Sequence, residues 1–270
     1  MTSIRLFRGG FGYVSLLSVA SDLVTHAHAE AHLIVWLDGS PGTMHVGDAE
    51  IAPGPGTAVG VNSFQPHSHS FEAGSTPGHF LAFYIDPEWA ALRFGLPCGA
   101  PLFRQPAIPI DAWVRSLCSG LFERGEGDAG DLAAYEVERL IETLVEMADT
   151  PRTARRTGAA ASDHRVRKAV ELMHANISGR ISFDEVARAV GLSRPHFFAL
   201  FKEQMNLTPN VYWNTLRMEE ALRQLRNSEQ PLTALACDLG FTTQGNFTRF
   251  FRDHAGVPPT LYREAARTAA

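Results

Sequence analysis

The chain has 270 residues and an apolar content of 45%, which allows one large soluble domain or two ordinary ones. Three cysteines are too few and too scattered for a disulfide framework or a CxxC metal site, and no apolar run approaches the roughly 18 residues of a membrane helix. The net charge of −5 is uneven: residues 1–150 carry −11, whereas residues 163–270 carry +3. We therefore expect a cytoplasmic protein with no membrane segment and two domains, of which only the second can favour phosphate.

Residues 4 to about 104 have the pattern of short strands separated by turns. Apolar runs cover 13–19, 32–37, 58–61 and 79–85, and clusters rich in glycine and proline lie between them. Regular alternation of strands and turns is typical of a sandwich or barrel. Pro87 is expected to open a short helix after the last of these strands.

Two stretches of this region resemble the two cupin motifs. They are His26-x-His28 with His32 and Gly39, and Pro53-Gly-Pro-Gly56 with His67. The resemblance is partial, because His32 stands where the first motif has a carboxylate and Glu30 comes two residues too early. It implies an all-β cupin-like barrel with a small-molecule site inside.

The residues expected to bind this effector are His26, His28, His32, Trp36 and His67. As strand residues at even spacing, the first three would share one face. Imidazoles suit Zn, Fe or Ni, so His26, His28, His32 and His67 are also candidate metal ligands. The alternative, a polar barrel lining that holds no metal and no other cofactor, stays open.

Other aromatic and histidine side chains of this region receive simpler assignments. Phe64, Phe83 and Tyr84 are expected near the barrel interior, as ligand contacts or as ordinary core. His45, His69 and His79 are expected at the surface or in turns.

A helical pair follows the predicted barrel. Trp113, Val114, Leu117 and Leu121 recur at helical spacing, residues 125–130 are rich in glycine, and an amphipathic helix then runs to Ala148 with glutamates, Glu142 among them, off its apolar stripe. The apolar stripe is wide enough to serve two surfaces. The pair either forms a dimer contact in addition to covering the barrel, or it only covers the barrel. Residues 1–150 would thus form the first domain, and the polar, Arg-bearing stretch 151–162 the linker.

Residues 163–270 have the pattern of compact helices. Ser182 and Glu185 form a capping box, and Thr208-Pro209 is expected to open a long helix that runs to about Asn227. A short apolar helix ends at Gly240, and a second helix with a polar outer face is expected to begin at Thr242. A helix, a tight glycine turn and a second helix of this kind form a helix-turn-helix pattern.

The pattern occurs twice. Seven residues of the second copy, shifted by 50, match the first copy: Phe247, Phe251, Arg252, Val257, Pro259, Leu261 and Tyr262 match Phe197, Phe201, Lys202, Leu207, Pro209, Val211 and Tyr212. Before the turn the shift is 49, since Gly240 matches Gly191, so the second turn has one extra residue. A fixed period with matched residue types indicates two copies of one unit.

Together, these stretches resemble the tandem helix-turn-helix domain of AraC/XylS-type transcription regulators over roughly Arg165 to Arg267. The resemblance implies an all-α DNA-binding domain at 163–270, with promoter DNA and RNA polymerase as partners. It also implies that the cupin-like domain senses an effector and that the helical pair mediates homodimer formation. Activation and repression both remain open, as do the effector and the operator.

The residues expected to contact DNA lie on the two second helices. They are Arg194, Pro195, His196, Phe198 and Lys202 in the first copy and Thr243, Gln244, Asn246, Arg249 and Arg252 in the second. Arg249 can donate two hydrogen bonds to guanine, and Gln244 can hydrogen-bond to adenine. Phe198 and Ala199 can only contact thymine methyl groups or pack against protein. The second copy is therefore predicted to read most of the base sequence. Lys202 and Arg252 are expected to contact phosphates, and Arg217, Arg223 and Arg226 to be solvated or ion-paired.

Two other functions compete with an effector-controlled regulator. One is a metal-dependent cupin enzyme that carries a DNA-binding tail, although no catalytic residues can be assigned. The other is a regulator whose sensor is vestigial.

Overall fold

We describe residues 4–123, 131–148, 163–179 and 181–268 of a computed structural model of the chain. Its N-terminal region is β-rich and its C-terminal region is helical. The predicted break at 125–130 and the predicted linker at 151–162 lie outside the described residues. Among the described helices, none is both long and apolar enough to cross a membrane.

The β-rich region forms two antiparallel sheets. Its strands are β1 (Ile4–Gly9), β2 (Gly12–Val19), β3 (Leu23–His26), β4 (Ala31–Asp38), β5 (Thr43–Val46), β6 (Ala49–Ile51), β7 (Thr57–Val61), β8 (His67–Ser70), β9 (Gly78–Ile85) and β10 (Ala107–Pro109). One sheet has the order β1-β2-β9-β4-β7-β10 and the other β3-β8-β5-β6. The four predicted strand runs are confirmed, and β10 extends the region beyond its predicted limit at residue 104.

The central strands β4 and β9 are covered on both faces. Leu33 and Phe83 belong to a core shared with the helices α1 (Pro87–Phe94), α2 (Ala112–Glu123) and α3 (Asp131–Met147). Ile34 and Phe80 belong to a second core that also includes Met44 of the other sheet. Strands buried on both faces lose the alternation of apolar and polar residues, which explains the continuous apolar runs in the sequence.

The helical pair buries one charged residue that the sequence pattern placed outside. Glu142 of α3 is 7% exposed and forms ion pairs with Arg93 of α1 and Arg139. The prediction that it lies off the buried face is therefore wrong. The two guanidinium groups compensate a carboxylate that would otherwise be costly to bury.

The C-terminal region consists of seven described helices. They are α4 (His164–Ala175), α5 (Phe183–Ala189), α6 (Arg194–Met205), α7 (Pro209–Asn227), α8 (Leu232–Asp238), α9 (Gln244–Ala255) and α10 (Pro259–Thr268). Ser182 caps α5 and Thr208 caps α7 through their side-chain oxygens, as predicted. The cap of α9 is Thr243 rather than Thr242: its Oγ1 accepts a hydrogen bond from the backbone N–H of Asn246 at 3.1 Å.

The predicted repeat is confirmed by its geometry. Gly191 and Gly240 both have φ of 74°, and each lies in the turn before its second helix. The ring centroids of Phe197 and Phe201 lie 5.6 Å apart, and those of Phe247 and Phe251 lie 5.9 Å apart. Equivalent aromatic side chains therefore build equivalent small cores, each under its own second helix.

Helix α7 belongs to both of these cores. Its first half contributes Tyr212 and Leu216 to the core of the first unit, and its second half contributes Ala221 and Leu225 to that of the second. At about 1.5 Å per residue, its 19 residues span roughly 28 Å. One rigid helix therefore sets the separation of the two units.

The helical region packs against the β-rich region through α7, α9 and α10. Helices α7 and α9 contact β3, and α10 contacts β1. The hydroxyl of Thr215 donates a hydrogen bond to the carbonyl of Ala27 at 2.9 Å, and Glu219 Oε1 accepts one from the N–H of Ala29 at 3.1 Å. The short connection between β3 and β4 is thereby tied to the middle of α7.

We expect Glu219→Gln to stabilise the protein at pH 8 and to leave it unchanged at pH 4. Burial, together with the nearby carboxylate of Glu30, raises the pKa of Glu219 to about 7. Because the pKa of Glu219 is higher in the folded protein than in the unfolded chain, its neutral carboxyl group contributes to the free energy of unfolding. This contribution is complete below the unfolded-chain pKa near 4.5 and is lost as the pH rises through 7. Glutamine keeps the acceptor for Ala29 without the charge, so the gain at pH 8 should be about 1–2 kcal/mol in urea unfolding.

The neighbouring Glu220 is the matched control for this experiment. Arg223 donates hydrogen bonds to its carboxylate and thereby lowers the pKa of Glu220. Glu220→Gln should therefore show no gain at pH 8. Equal stabilities of the wild-type and Glu219→Gln proteins at both pH values would contradict the assignment of a buried, titrating carboxyl group.

Candidate nucleic-acid interface and histidine cluster

Helix α9 separates its apolar and polar side chains sharply. Phe247 and Phe251 are fully buried, four residues apart on the inner face. Gln244, Asn246 and Arg249 are exposed on the opposite side. Amide and guanidinium groups can hydrogen-bond to base edges, so this face has the chemistry for direct readout in a major groove.

Helix α6 presents a different surface. Pro195, His196 and Ala199 are exposed, as the prediction of a DNA-facing stretch requires. Arg194 forms an ion pair with Asp184 at 3.0 Å, and its guanidinium carbon lies 5.4 Å from the centre of the Phe198 ring. The ring of Phe198 packs edge-on against Phe183 with centroids 5.7 Å apart. Two of the five predicted contact residues of α6 are therefore engaged by protein.

The predicted phosphate contacts and the cap residue of α9 lie near the ends of the two helices. Lys202 and Arg252 are exposed in the last turns of α6 and α9, and Arg252 lies 3.3 Å from Asp253. Thr243 is exposed at the start of α9, where its hydroxyl caps the helix. A threonine that caps in this way positions the helix, whether or not it also contacts DNA.

Arg217 of α7 corrects a prediction. It is half-buried and has no ion pair among the described residues: its guanidinium carbon lies 3.7 Å from the centre of the Phe241 ring, and its Nε donates to the carbonyl of Leu239 at 3.0 Å. Burial lowers its pKa to about 10. Arg217 therefore holds the turn of the second unit against α7. Arg223, in contrast, is ion-paired with Glu220, as expected.

The structure brings the four predicted metal-binding histidines together. The ring centroids are 4.2 Å apart for His26 and His67, 4.4 Å for His28 and His32, and 4.6 Å for His32 and His67. The predicted reason is wrong, because the first three do not lie on one strand. His26 ends β3, His28 lies in the connection and His32 belongs to β4. It is the connection, and not strand alternation, that turns His28 toward the others.

Backbone carbonyl groups orient three of these rings. The Nδ1 atoms of His26, His28 and His67 hydrogen-bond to the carbonyls of Val24, Glu30 and Gln65 at 2.7, 2.8 and 2.9 Å. Because a carbonyl can only accept, each Nδ1 carries the proton, and a neutral ring then has its lone pair on Nε2. Burial lowers the pKa of His28 and of His67 to about 3, so both rings are neutral at physiological pH.

His26, His28 and His67 offer ligand atoms within 4.8 Å of one another. On a tetrahedral metal with bonds of about 2.0–2.1 Å, three such nitrogens lie about 3.3 Å apart, so small ring rotations would suffice. The Nε2 atom of His28 is buried and has no hydrogen-bond partner among the described residues. The donor set and this unpartnered atom fit a divalent transition metal.

Trp36 lies apart from the histidine cluster, whereas the backbone N–H of Phe64 donates a hydrogen bond to the carbonyl of His28 at 2.8 Å. Trp36 stands four residues beyond His32 on β4, roughly 13 Å along the strand, and Arg115 stacks on its ring at 5.0 Å. Phe64 is 36% exposed and packs near Tyr212 of α7, with centroids 6.3 Å apart. Its predicted place in the barrel interior is therefore wrong.

The remaining residues predicted for this region divide between the core and the surface. Phe83 faces the helices instead of the interior between the sheets, whereas the Tyr84 ring lies 5.2 Å from His28 and from His32. His69 is 5% exposed and hydrogen-bonds to the carbonyl of Pro41, which contradicts its predicted surface position. His45 is exposed, as expected.

One further histidine beside the cluster was not predicted. His254, near the end of α9, is 8% exposed, and its ring centroid lies 6.0 Å from that of His26. A single histidine in a helix of the second unit gives no sequence signal for a contact with β3, more than 200 residues away. Its Nε2 atom is buried and without a hydrogen-bond partner among the described residues.

Two helix-turn-helix units, joined by one helix and each with an exposed second helix, define a DNA-binding protein of the tandem helix-turn-helix class. Comparison with known proteins agrees: a helix-turn-helix domain family matches residues 186–265. The multiple antibiotic resistance protein MarA of Salmonella typhimurium is 31% identical over 88 residues, which are 33% of this chain and 69% of MarA. The chain belongs to the AraC/XylS-type transcription regulators and binds DNA.

Two similarities extend over most of the chain. The probable transcriptional regulator LumQ of Photobacterium leiognathi is 24% identical over 242 residues, covering 88% of this chain and 91% of LumQ. Two structures of ToxT from Vibrio cholerae, one apo and one with bound unsaturated fatty acid, have TM-scores of 0.56 and 0.52. The first is 11% identical and covers 97% of this chain and 99% of ToxT; the second is 9% identical and covers 97% and 94%. These likenesses support the arrangement of a β-rich region before a helical DNA-binding region. For several other regulators, the match spans less than half of the relative's length.

Proposed function

We propose that this regulator reads promoter DNA chiefly through α9, with α6 placed in the adjacent major groove. The observation that carries the proposal is the contrast between the two helices. Gln244, Asn246 and Arg249 are exposed on α9, whereas Arg194 and Phe198 of α6 are held by protein contacts. The length of α7, roughly 28 Å, is compatible with two helices about one DNA turn, or 34 Å, apart.

Selection from a random-sequence duplex pool tests this proposal without knowledge of the operator. The full chain should enrich two sequence blocks about 10 base pairs apart, with the block read by α9 the more strongly determined. Enrichment of a single block would show that α6 does not enter a groove of its own. Equal information in both blocks would contradict the dominance of α9.

The β-rich region, within the domain proposed at residues 1–150, would control this activity by binding an effector. The ToxT structure with unsaturated fatty acid describes a regulator of similar fold with a bound small molecule. In this chain, a shallow cleft with an enclosed volume of about 10 Å³ lies beside α1 and is lined mostly by apolar residues that include Ala31, Pro87 and Leu96. This volume is below the roughly 300–1,000 Å³ of most organic-ligand sites. The histidine cluster is therefore the better candidate site.

The chemistry of the cluster favours a divalent metal ion such as Zn, Fe or Ni as the effector. His26, His28 and His67 would supply the ligands through Nε2, with His32 and Tyr84 packed beside them. Metal analysis of the purified full chain, before and after a chelator, tests this directly. One retained equivalent supports a metal effector, whereas protein without metal that also fails to take up Zn²⁺, Fe²⁺ or Ni²⁺ would redirect the search to organic ligands.

We further propose that α2 and α3 form a homodimer contact. Trp113 and Leu117 are four residues apart on α2 and are 62% and 41% exposed, and Tyr135 of α3 is 60% exposed. The neighbouring face of α2, with Val114 and Cys118, is buried against the β-rich region. A second apolar face of this kind is typical of an interaction surface.

We expect Trp113→Glu to convert a dimer into a monomer in light scattering, because the charge would have to be desolvated at the contact. Leu92→Glu is the matched control: Leu92 is also exposed, at 87%, but lies on α1. Leu92→Glu should unfold at the wild-type temperature, and Trp113→Glu should differ from it only by the concentration-dependent contribution of the dimer, since neither residue is part of the core. A Trp113→Glu protein with the wild-type mass would exclude this face as the contact.

The remaining proposals follow from the family. The regulator would act in the cytoplasm by changing the access of RNA polymerase to the promoter. A catalytic role receives no support from the relatives, which are named as regulators.

A further inference from the structure

We propose that His254 of α9 is a fourth metal ligand, so that the metal joins the β-rich region directly to the helix that reads DNA. The proposal rests on the proposed function of the histidine cluster as a metal site and adds to it a ligand from the DNA-binding region. A metal held in this way would bridge two parts of the chain that are more than 180 residues apart in sequence.

The orientation of His254 matches that of the other three ligands. Its Nδ1 hydrogen-bonds to the carbonyl of Phe250 at 2.7 Å, as the Nδ1 atoms of His26, His28 and His67 do with their own carbonyls. The proton is thereby placed on Nδ1, and Nε2 of a neutral ring has its lone pair free. An outer hydrogen bond of this kind is the usual partner of a metal-bound imidazole.

The position of His254 favours the same conclusion. The side chain is 8% exposed, its ring lies 6.0 Å from the His26 ring, and its buried Nε2 has no partner among the described residues. Buried polar atoms without a partner are uncommon in folded proteins, and a bound ion or water is one explanation for them. His28 Nε2 is unpartnered in the same way. The ligand atoms of His26, His28 and His67 lie within 4.8 Å of one another, and that of His254 lies farther from at least one of them, so a single tetrahedral ion would satisfy both atoms once α9 moves closer to β3.

The surroundings show how the ion would act on DNA binding. His26 and His28 alternate with Ala27 and Ala29, which hydrogen-bond to Thr215 and Glu219 of α7. A bound metal would therefore fix the connection between β3 and β4 and, through His254, fix α9 as well. One ion would then affect the placement of α7, which sets the separation of the two units, and that of α9, which reads DNA.

Cobalt binding to the full chain provides the test. The wild-type protein should bind one equivalent of Co²⁺ with the visible absorption of a tetrahedral site and should unfold several degrees higher with the metal. His254→Gln and His28→Gln should each retain three ligands and bind Co²⁺ at least about 10–100-fold more weakly, the loss that removal of an outer hydrogen-bond partner alone already causes. His164→Gln, a substitution of an exposed histidine of α4, should bind as the wild-type protein does.

A second variant gives a positive signal. His254→Cys keeps a ligand at this position, and its Co²⁺ complex should show the charge-transfer absorption of a thiolate–cobalt bond. The wild-type complex should lack this absorption although it has Cys98, Cys118 and Cys237. Affinity of His254→Gln equal to wild type, or a His254→Cys complex without thiolate absorption, would overturn the proposal.

Parallel measurements separate the possible failures. If the wild-type chain binds no Co²⁺, the metal effector and the bridge both fail, while binding to the selected duplex still decides whether the protein reads DNA as proposed. If the wild-type chain binds Co²⁺ and His254→Gln binds it equally well, the metal effector stands and the bridge alone fails. Unfolding of each metal-free variant shows whether a loss of affinity comes from a loss of fold.

Discussion

Phe251→Ala is expected to destabilise the protein by about 3–5 kcal/mol, the range for a fully buried aromatic side chain. Phe251 is 0% exposed, and its ring lies 5.9 Å from that of Phe247 and 5.6 Å from that of Tyr262. Alanine would leave a cavity between α9 and α10 that these neighbours are too constrained to fill. Urea unfolding followed by tryptophan fluorescence or circular dichroism would measure the loss.

The repeat supplies an internal comparison for this substitution. Phe201 is also fully buried, and its ring lies 5.6 Å from that of Phe197 and 5.5 Å from that of Tyr212. Phe201→Ala should therefore have a similar cost, whereas Leu92→Ala, at a site 87% exposed, should cost almost nothing. A cost below about 1 kcal/mol for Phe251→Ala would mean that the second unit is not packed as described.

Arg249→Ala is expected to weaken binding to the selected duplex by about 5- to 150-fold, or 1–3 kcal/mol. Arg249 is exposed on α9, one turn from Asn246, where its guanidinium can reach two acceptors of a guanine. The loss should be confined to the preferred sequence, because binding to unrelated duplexes depends on phosphate contacts. Fluorescence anisotropy with the selected and a scrambled duplex would measure both affinities.

Two variants serve as controls for Arg249→Ala. Arg252→Ala should weaken binding to both duplexes alike and reduce the salt dependence, as the loss of a phosphate contact does. Ala199→Ser, at the equivalent position of α6, should change little. If Ala199→Ser costs as much as Arg249→Ala on the selected duplex, the two helices share the readout and α9 does not dominate it.

The helical region was predictable from the sequence because its signals are local. Phe247 and Phe251 lie one turn apart, their counterparts recur 50 residues earlier, and the turns need glycine at φ of 74°. Side-chain caps at Ser182 and Thr208 fix the helix starts within a few residues of chain. None of these features depends on what the rest of the protein does.

The histidine cluster was predictable only as a set of residues. The two-residue spacing of His26 and His28 identified both as candidates but predicted wrongly that they share one face of a strand. The spacing cannot show that β3 ends at His26. His254 could not be found at all, since its neighbours come from a distant part of the chain. The predictions for Arg217 and Glu142 were wrong for a related reason. Whether a charged residue is buried depends on partners such as Phe241 and Arg93, and the sequence pattern does not show which residues will be in contact.

Because α7 is shared by both small cores, neither helix-turn-helix unit can melt alone. Unwinding the first half of α7 removes Tyr212 and Leu216 from one core, and unwinding the second half removes Ala221 and Leu225 from the other. The cost of nucleating a helix makes partial unwinding of a single long helix unfavourable. Residues 163–268 should therefore denature in one cooperative step. A substitution that unfolds one helix-turn-helix unit would then unfold the other as well.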